Sequence, residues 1–150
     1  MNKVLIFGYG YVARFLSEKI IANGKRVLAT TRDPNKINAQ IKKLTLIYPD
    51  KVNLKLADSK DEITHLIVSV PPNETGDVFL KQYKDSLLSM TNLKWIGYLS
   101  ATNVYGDHNG EYVNEFSSLK GTTSKGINRI KAEDQWTEYC KEKNLPLHIF

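Results

Sequence analysis

The segment Val4-Leu5-Ile6-Phe7-Gly8-Tyr9-Gly10-Tyr11-Val12-Ala13 constrains the fold of this chain more than any other. Four consecutive apolar residues ending at a glycine are the pattern of a strand buried on both faces of a sheet, with no polar residue to mark a solvent side. Beyond the glycines, Val12, Phe15, Leu16 and Ile20 recur at helical spacing until Asn23-Gly24 supplies a stop. A second apolar run, Val27-Leu28-Ala29, follows after a tight connection. Strand, glycine turn, helix and strand within about thirty residues make a βαβ unit, and parallel neighbours joined in this way need both faces of their sheet covered.

The rest of the chain continues the alternation. Asp33-Pro34 starts a helix or turn. Between Asn35 and Asp50 the pattern is ambiguous: Ile37, Ile41, Leu44 and Ile47 or Tyr48 fit a helix, whereas Leu44-Thr45-Leu46-Ile47 also fits a strand. The spacing is read as helix first, with a third strand over Val52-Asn53-Leu54-Lys55-Leu56, whose alternation suits a sheet edge. A fourth strand, His65 to Val70, is stopped by Pro71-Pro72, since proline has no N–H for the ladder. Phe79, Leu80, Tyr83, Leu87 and Leu88 mark a helix reaching about Met90, and Trp95 to Ser100 is a fifth strand. Ala101 to Thr123 is a long polar connection, the kind that in compact domains carries function. A helix from about Ser124 to Lys143, with Ile127, Ile130, Trp136, Tyr139 and Cys140 on its apolar side, leads into a sixth strand at Leu147 to Phe150. The order predicts a Rossmann-type α/β fold, a doubly wound, mainly parallel sheet of about six strands with helices on both faces, occupying residues 1–150 as a single domain.

Ligands of such sheets sit beyond the carboxyl ends of the strands. That rule gathers Gly8 to Val12, Thr31-Arg32, Ser69 to Pro72 and Ser100 to Tyr105 into one prospective site. Gly8-Tyr9-Gly10-Tyr11-Val12-Ala13 reads G-x-G-x-x-A in the context that gives the pattern meaning, after a buried strand and opening a helix. Gly8 suits the tight turn, Gly10 lets backbone approach a pyrophosphate, Ala13 lets the helix pack closely, and the helix N-terminus offers N–H groups and positive partial charge. Gly8, Tyr9, Gly10, Tyr11 and Val12 are therefore expected to hold a dinucleotide, with Ser69, Val70 and Pro71 beside them. At the end of the second strand an acidic residue would select NAD by binding the ribose 2′-hydroxyl. Thr31-Arg32 stands there instead, and a permanent guanidinium fork suits a 2′-phosphate, so NADP is favoured over NAD. Asp33 is the carboxylate that argues the other way.

Composition narrows the remaining classes. The chain has 150 residues, 41% hydrophobic and 25% charged, which is ordinary for a globular fold. No run approaches the roughly 18 apolar residues of a membrane span, and the N-terminus lacks a cleavable leader pattern. A single cysteine, Cys140, leaves no intramolecular disulfide and no paired-cysteine zinc site. A cytoplasmic location is the expectation. The net charge of +5 gathers partly at Lys36, Lys42, Lys43, Lys51, Lys55 and Lys60, without any nucleic-acid-binding motif, so these read as a solvated basic face. His65, His108 and His148 have no metal-ligand spacing, and no metal is assigned. Asp58, Asp61 and Glu62 read as an acidic loop, although an Asp just after the third strand could approach the adenine. Trp95, Trp136 and Cys140 read as packing residues.

Three segments carry a resemblance to a known family: the opening strand and glycine turn, Val68-Ser69-Val70-Pro71-Pro72, and Tyr98-Leu99-Ser100-Ala101-Thr102-Asn103-Val104-Tyr105-Gly106-Asp107 with Glu115 downstream. Together they resemble the extended short-chain dehydrogenase/reductase superfamily, in its atypical branch of NAD-dependent epimerase/dehydratase, nucleoside-diphosphate-sugar epimerase-like proteins. The resemblance implies a nucleotide-sugar-like substrate, a homodimer, and a smaller substrate-binding region after the sixth strand. It also implies a Ser or Thr four residues before the Tyr of Val-Tyr-Gly, with Tyr-x-x-x-Lys on the next long helix for acid/base work. Here those positions are Ala101, Lys125 and Arg129, so the catalytic set is not retained. Ser100, Thr102 and Tyr105 are the neighbours that could substitute, with Lys125 and Arg129 on the helix. The expectations are thus an NADP-binding oxidoreductase or epimerase-like enzyme, or else an inactive dinucleotide-binding module or the remnant of a longer enzyme.

Overall fold

The computed structural model describes residues 3–37 and 42–150. Eleven elements alternate along the chain: β1 (Lys3–Phe7), α1 (Tyr11–Ala22), β2 (Arg26–Thr30), α2 (Pro34–Ile37), β3 (Leu44–Ile47), α3 (Val52–Ser59), β4 (Ile63–Val68), α4 (Val78–Leu88), β5 (Trp95–Tyr98), α5 (Ser124–Glu142) and β6 (Leu147–Ile149). Short 3-10 turns at Pro49–Lys51, Lys60–Glu62 and Thr102–Val104 join them. The six strands form one sheet in the order β3-β2-β1-β4-β5-β6. All five neighbouring pairs are parallel. This is the expected Rossmann-type arrangement. The strand order reverses direction between β1 and β4, and that reversal opens the crevice in which such sheets bind ligands.

Period-two alternation divides β1 between two cores. Leu5 and Phe7 face α3, α4 and α5, packing with Leu66, Val68, Ile96, Phe79, Tyr83 and Trp136. Val4 and Ile6 face the other way, with Val27, Ala29, Ile67 and Ala13 of α1. Phe7 meets the Phe79 and Tyr83 rings edge-on at 5.1 and 5.4 Å. Trp136 is fully buried and stacks on Phe79 at 6.0 Å. Over β5 and β6 the α1 side of the sheet carries Trp95, which lies against His148 at 5.7 Å and Phe150 at 5.9 Å.

The third strand corrects the sequence reading. β3 is Leu44–Ile47, paired with β2 from Val27↔Leu44 to Thr30↔Ile47. Val52 to Leu56, read as a strand, belongs to the helix α3, which buries Val52, Leu56 and Ser59 and leaves Leu54 68% exposed. Spacing of i, i+4 and i+7 explains the burial, and two-residue alternation does not. Of the helix expected first in the stretch from Asn35 to Asp50, the described residues include α2, Pro34–Ile37, while Leu44 and Ile47 belong to β3 and Ile41 lies outside the described residues. Asp58 consequently sits in α3, whose C-terminus feeds the N-terminal end of β4, away from the strand ends where an adenine would lie. Asp61 accepts a bond from Thr91, and Glu62 pairs with Lys3 at 2.5 Å.

Helix rotations differ as well. Val12 and Phe15 of α1 are 56% and 53% exposed, Phe15 lying edge-on to Tyr11. The buried face is Ala13 and Ser17, flanked by Leu16 and Ile20. Close contact with the sheet beside the turn admits small side chains, and the Ser17 hydroxyl is satisfied by donating to Ala13 O at 2.6 Å. On α5 the buried residues are Gly126, Ala132, Trp136 and Cys140, while Ile127 is exposed.

Candidate functional site

The glycine turn is built by its neighbours. Gly8 adopts φ +108°, and a Cβ there would lie 2.7 Å from Val70 Cγ2 and 2.9 Å from Ser69 Oγ, so glycine is required on both counts. Its N–H donates to Thr30 Oγ1 at 2.8 Å, and the Tyr9 N–H donates to Thr30 O at 2.7 Å. Ser69 Oγ donates to Gly8 O at 2.6 Å, and the Ser69 N–H to Phe7 O at 3.0 Å. β2 and β4 thus hold the turn from either side. Gly10 is the N-cap of α1 without a side-chain cap, and a Cβ on it would meet nothing within 4 Å. Its exposed, unobstructed backbone leaves the first turn of α1 approachable by an anion.

The β2–α2 turn lies beside it. Thr31 is buried, its N–H donates to Ile47 O at 2.9 Å, and its Oγ1 accepts from the Asp33 N–H at 3.1 Å. Asp33 Oδ1 accepts from the Asn35 N–H at 3.0 Å, and Oδ2 lies 3.6 Å from Lys36 Nζ. Both carboxylate oxygens are therefore directed to the start of α2. Arg32, between Thr31 and Asp33, is exposed. Ser69 is half-buried against the turn; Val70 flanks Gly8, and Pro71 is exposed at the rim.

The residues expected to do chemistry divide. Ser100 and Arg129 come together at the end of β5, but each is engaged there. Ser100 Oγ donates to Glu133 Oε1 of α5. Arg129 Nη1 donates to Leu99 O at 2.7 Å and to Tyr98 Oη at 3.4 Å, its guanidinium 5.8 Å from the Tyr98 ring centroid. Burial pushes the Tyr98 phenol up to about 12, so it stays protonated near neutrality. Thr102 is exposed at the start of its 3-10 turn, Tyr105 is half-buried beyond it, and Lys125 is exposed in the first turn of α5. The turn reaches α5 through very close packing: a Cβ on Gly126 would lie 2.7 Å from Asn103 O.

Two residues escaped the sequence reading. Thr30 is a buried hydroxyl following the apolar run Val27-Leu28-Ala29, and a buried polar group needs a partner. Glu133 follows Arg129 by one helical turn and so faces the same strand end. The remaining candidates are packing residues: burial raises the Cys140 thiol to about 11, and His65 Nδ1 lies 2.8 Å from Thr64 Oγ1. Among the described residues no group of three His, Cys, Asp or Glu side chains could hold a metal, and no helix is long and apolar enough to cross a membrane. A separate cleft of about 490 Å³ lies between α4 and α5 and includes none of the residues gathered at the strand ends.

A parallel sheet in this order with an open glycine turn at its crossover defines a dinucleotide-binding α/β domain. Residues 3–92 match the family described as NADP oxidoreductase, coenzyme F420-dependent, and the chain belongs to that Rossmann-type dinucleotide-binding family. Among solved structures it is similar to a functionally unknown conserved protein from Silicibacter pomeroyi DSS, with 36% identity and a TM-score of 0.87 over 100% of this chain and 52% of that one. It shares its fold with the UDP-N-acetylglucosamine 4-epimerase of Bacillus cereus, at 16% identity and a TM-score of 0.76, over 99% of this chain and 52% of that one. The UDP-glucuronic acid 4-epimerase of Bacillus cereus, solved with NAD, gives 16% identity and 0.72 over 98% and 55%. The chain spans about half the length of these structures. The curated proteins compared contain no match.

Proposed function

We propose that this chain binds NADP(H) at the β1–α1 turn, as the cofactor domain of an oxidoreductase or epimerase-like enzyme. The observation that carries the reading is the pairing of an open, rigidly held Gly8–Gly10 turn with an exposed Arg32 one strand away. The carboxylate that would have favoured NAD is directed elsewhere, since Asp33 caps α2 and pairs with Lys36. An exposed guanidinium at this position, suited to a 2′-phosphate, supports NADP over NAD. Gly8, Tyr9, Gly10, Tyr11 and Val12 would surround the pyrophosphate, Thr31 and Arg32 the adenosine ribose, and Ser69, Val70 and Pro71 the nicotinamide side. The hydride chemistry belongs to the bound dinucleotide; these residues bind and orient it.

A nucleotide-sugar substrate is supported by the resemblance of the Tyr98 to Asp107 segment to the extended short-chain dehydrogenase/reductases, and by the structural likeness to the UDP-N-acetylglucosamine and UDP-glucuronic acid 4-epimerases. Homodimer formation rests on the same resemblance, and a cytoplasmic location on the single cysteine and the lack of a leader or membrane-span pattern in the sequence. In an active enzyme Thr102, Tyr105 and Lys125 would be the groups available for proton transfer. A second reading, a dinucleotide-binding module without chemistry of its own, is favoured by one observation: Ser100 and Arg129 are held by Glu133 and by the Leu99 carbonyl.

Fluorescence titration with NADPH and NADH tests the cofactor, and oxidation of NADPH over a panel of UDP sugars tests the reaction. Tighter binding of NADPH is expected, and clearly tighter NADH would overturn the cofactor assignment. NADPH binding without turnover would select the module.

A further inference from the structure

The Gly8 peptide is gripped on both sides. Its N–H is taken by the hydroxyl of Thr30 from β2, and its carbonyl receives the hydroxyl of Ser69 beyond β4. The next N–H, that of Tyr9, donates to the backbone carbonyl of the same Thr30. Thr30 is 1% exposed and lies one residue before the turn that presents Arg32, so it can act on a ligand only through the backbone it holds. Its neighbour Thr31 makes the corresponding bond on the other side, accepting from the Asp33 N–H across the turn that carries Arg32.

We propose that Thr30 is the positioning residue of the dinucleotide site. Its hydroxyl fixes the Gly8 peptide in the left-handed conformation that leaves the N-terminus of α1 open, and Ser69 supplies the opposing restraint. The consecutive hydroxyls of Thr30 and Thr31 set the phosphate turn and the Arg32 turn from one strand end, so the spacing between the two does not have to be created on binding. Preorganisation of this kind acts on affinity by removing the ordering that binding would otherwise demand. The proposal rests on the reading that the glycine turn receives a dinucleotide.

Thr30→Val keeps the shape of the side chain and removes the acceptor for the Gly8 N–H, whereas Thr30→Ser retains it. Dissociation constants for NADPH are measured on the wild-type chain and both variants well below their melting temperatures, together with hydrogen exchange at the Gly8 and Tyr9 amides in the ligand-free protein. The expected result is about a tenfold loss of NADPH affinity in Thr30→Val, with faster exchange at Gly8, and recovery to within about twofold of wild type in Thr30→Ser. A Thr30→Val protein that melts earlier yet binds NADPH as tightly as wild type would overturn the positioning role while leaving the dinucleotide site standing. Failure of the wild-type chain to bind any nicotinamide dinucleotide would overturn the site itself, and the proposal with it.

Discussion

Gly8 and Gly24 both adopt positive φ, +108° and +82°, yet they are required for different reasons. A side chain at Gly8 would strike Val70 and Ser69, whereas one at Gly24 would meet nothing within 4 Å. Gly24→Ala is therefore expected to lower stability by about 1 kcal/mol through backbone strain alone, with NADPH affinity unchanged. Gly8→Ala should cost about 1–3 kcal/mol and abolish detectable NADPH binding. Urea unfolding and fluorescence titration of the two variants separate these outcomes. Arg32→Ala is expected to weaken NADPH about tenfold and leave NADH within about twofold, as follows from losing one exposed charge-assisted contact to a 2′-phosphate. Equal losses for both cofactors would place Arg32 away from the ribose.

At the scale of elements, the sequence made most of the fold legible because strands buried on both faces have an unmistakable signature. Val4 to Phe7 and Leu66 to Val68 carry no polar residue, Ile96 to Tyr98 carries none but the Tyr98 phenol, and each falls in a strand. Val52 to Leu56 misled because three apolar residues at alternate positions fit a strand on periodicity alone; the exposure of Leu54 and the burial of Ser59, a further turn along, distinguish the helix. Rotations of α1 and α5 were not legible either. Their sheet-facing positions carry Ala13, Ser17, Gly126 and Ala132, small residues chosen by close approach and invisible to a search for large apolar ones.

The packing of α4 on α5 has its own consequences. Trp136→Ala is expected to destabilise the chain by about 3–5 kcal/mol, read by urea unfolding. Asp77, 2% exposed, caps α4 by accepting from the Leu80 N–H at 2.8 Å. Burial raises its carboxyl above the ordinary 3.8, against the pull of the Leu80 amide and of the Trp136 indole, which approaches without reaching hydrogen-bond geometry. The folded state then holds this proton more tightly than the unfolded chain. The resulting stabilisation is present in full below the ordinary value and disappears as the pH rises through the raised one. Asp77→Ser keeps an oxygen for the Leu80 amide and is expected to remove that slope, which begins as the pH rises above the ordinary carboxylate value, whatever it does to absolute stability. An unchanged slope in the variant would assign it to another group.

For the whole molecule, two levels of organisation meet at the carboxyl edge of the sheet. The first is the crossover between β1 and β4, where the restraints from Thr30 and Ser69 converge on one glycine. The second is the end of β5, where Ser100, Glu133 and Arg129 tie the strand to α5. The sequence disclosed the first through the order strand, G-x-G-x-x-A, helix. It disclosed the second only as departures from a catalytic pattern, since whether a hydroxyl or a guanidinium is free or engaged depends on partners thirty residues away. Arg129→Met is expected to lower stability by about 1–3 kcal/mol by leaving the Leu99 carbonyl without its donor, and to leave NADPH affinity unchanged. A large loss of affinity instead would make Arg129 part of the cofactor site.

The central claim is that the turn between β1 and α1, together with Arg32, holds a phosphorylated dinucleotide. The most direct measurement is the change in backbone amide NMR shifts as NADPH is added to the 15N-labelled chain. The expected result is that the largest changes fall on Gly8 to Ala13 and on Thr31 to Asp33, the second group responding far less to NADH. Changes confined to the cleft between α4 and α5, or no saturable change at all, would contradict it.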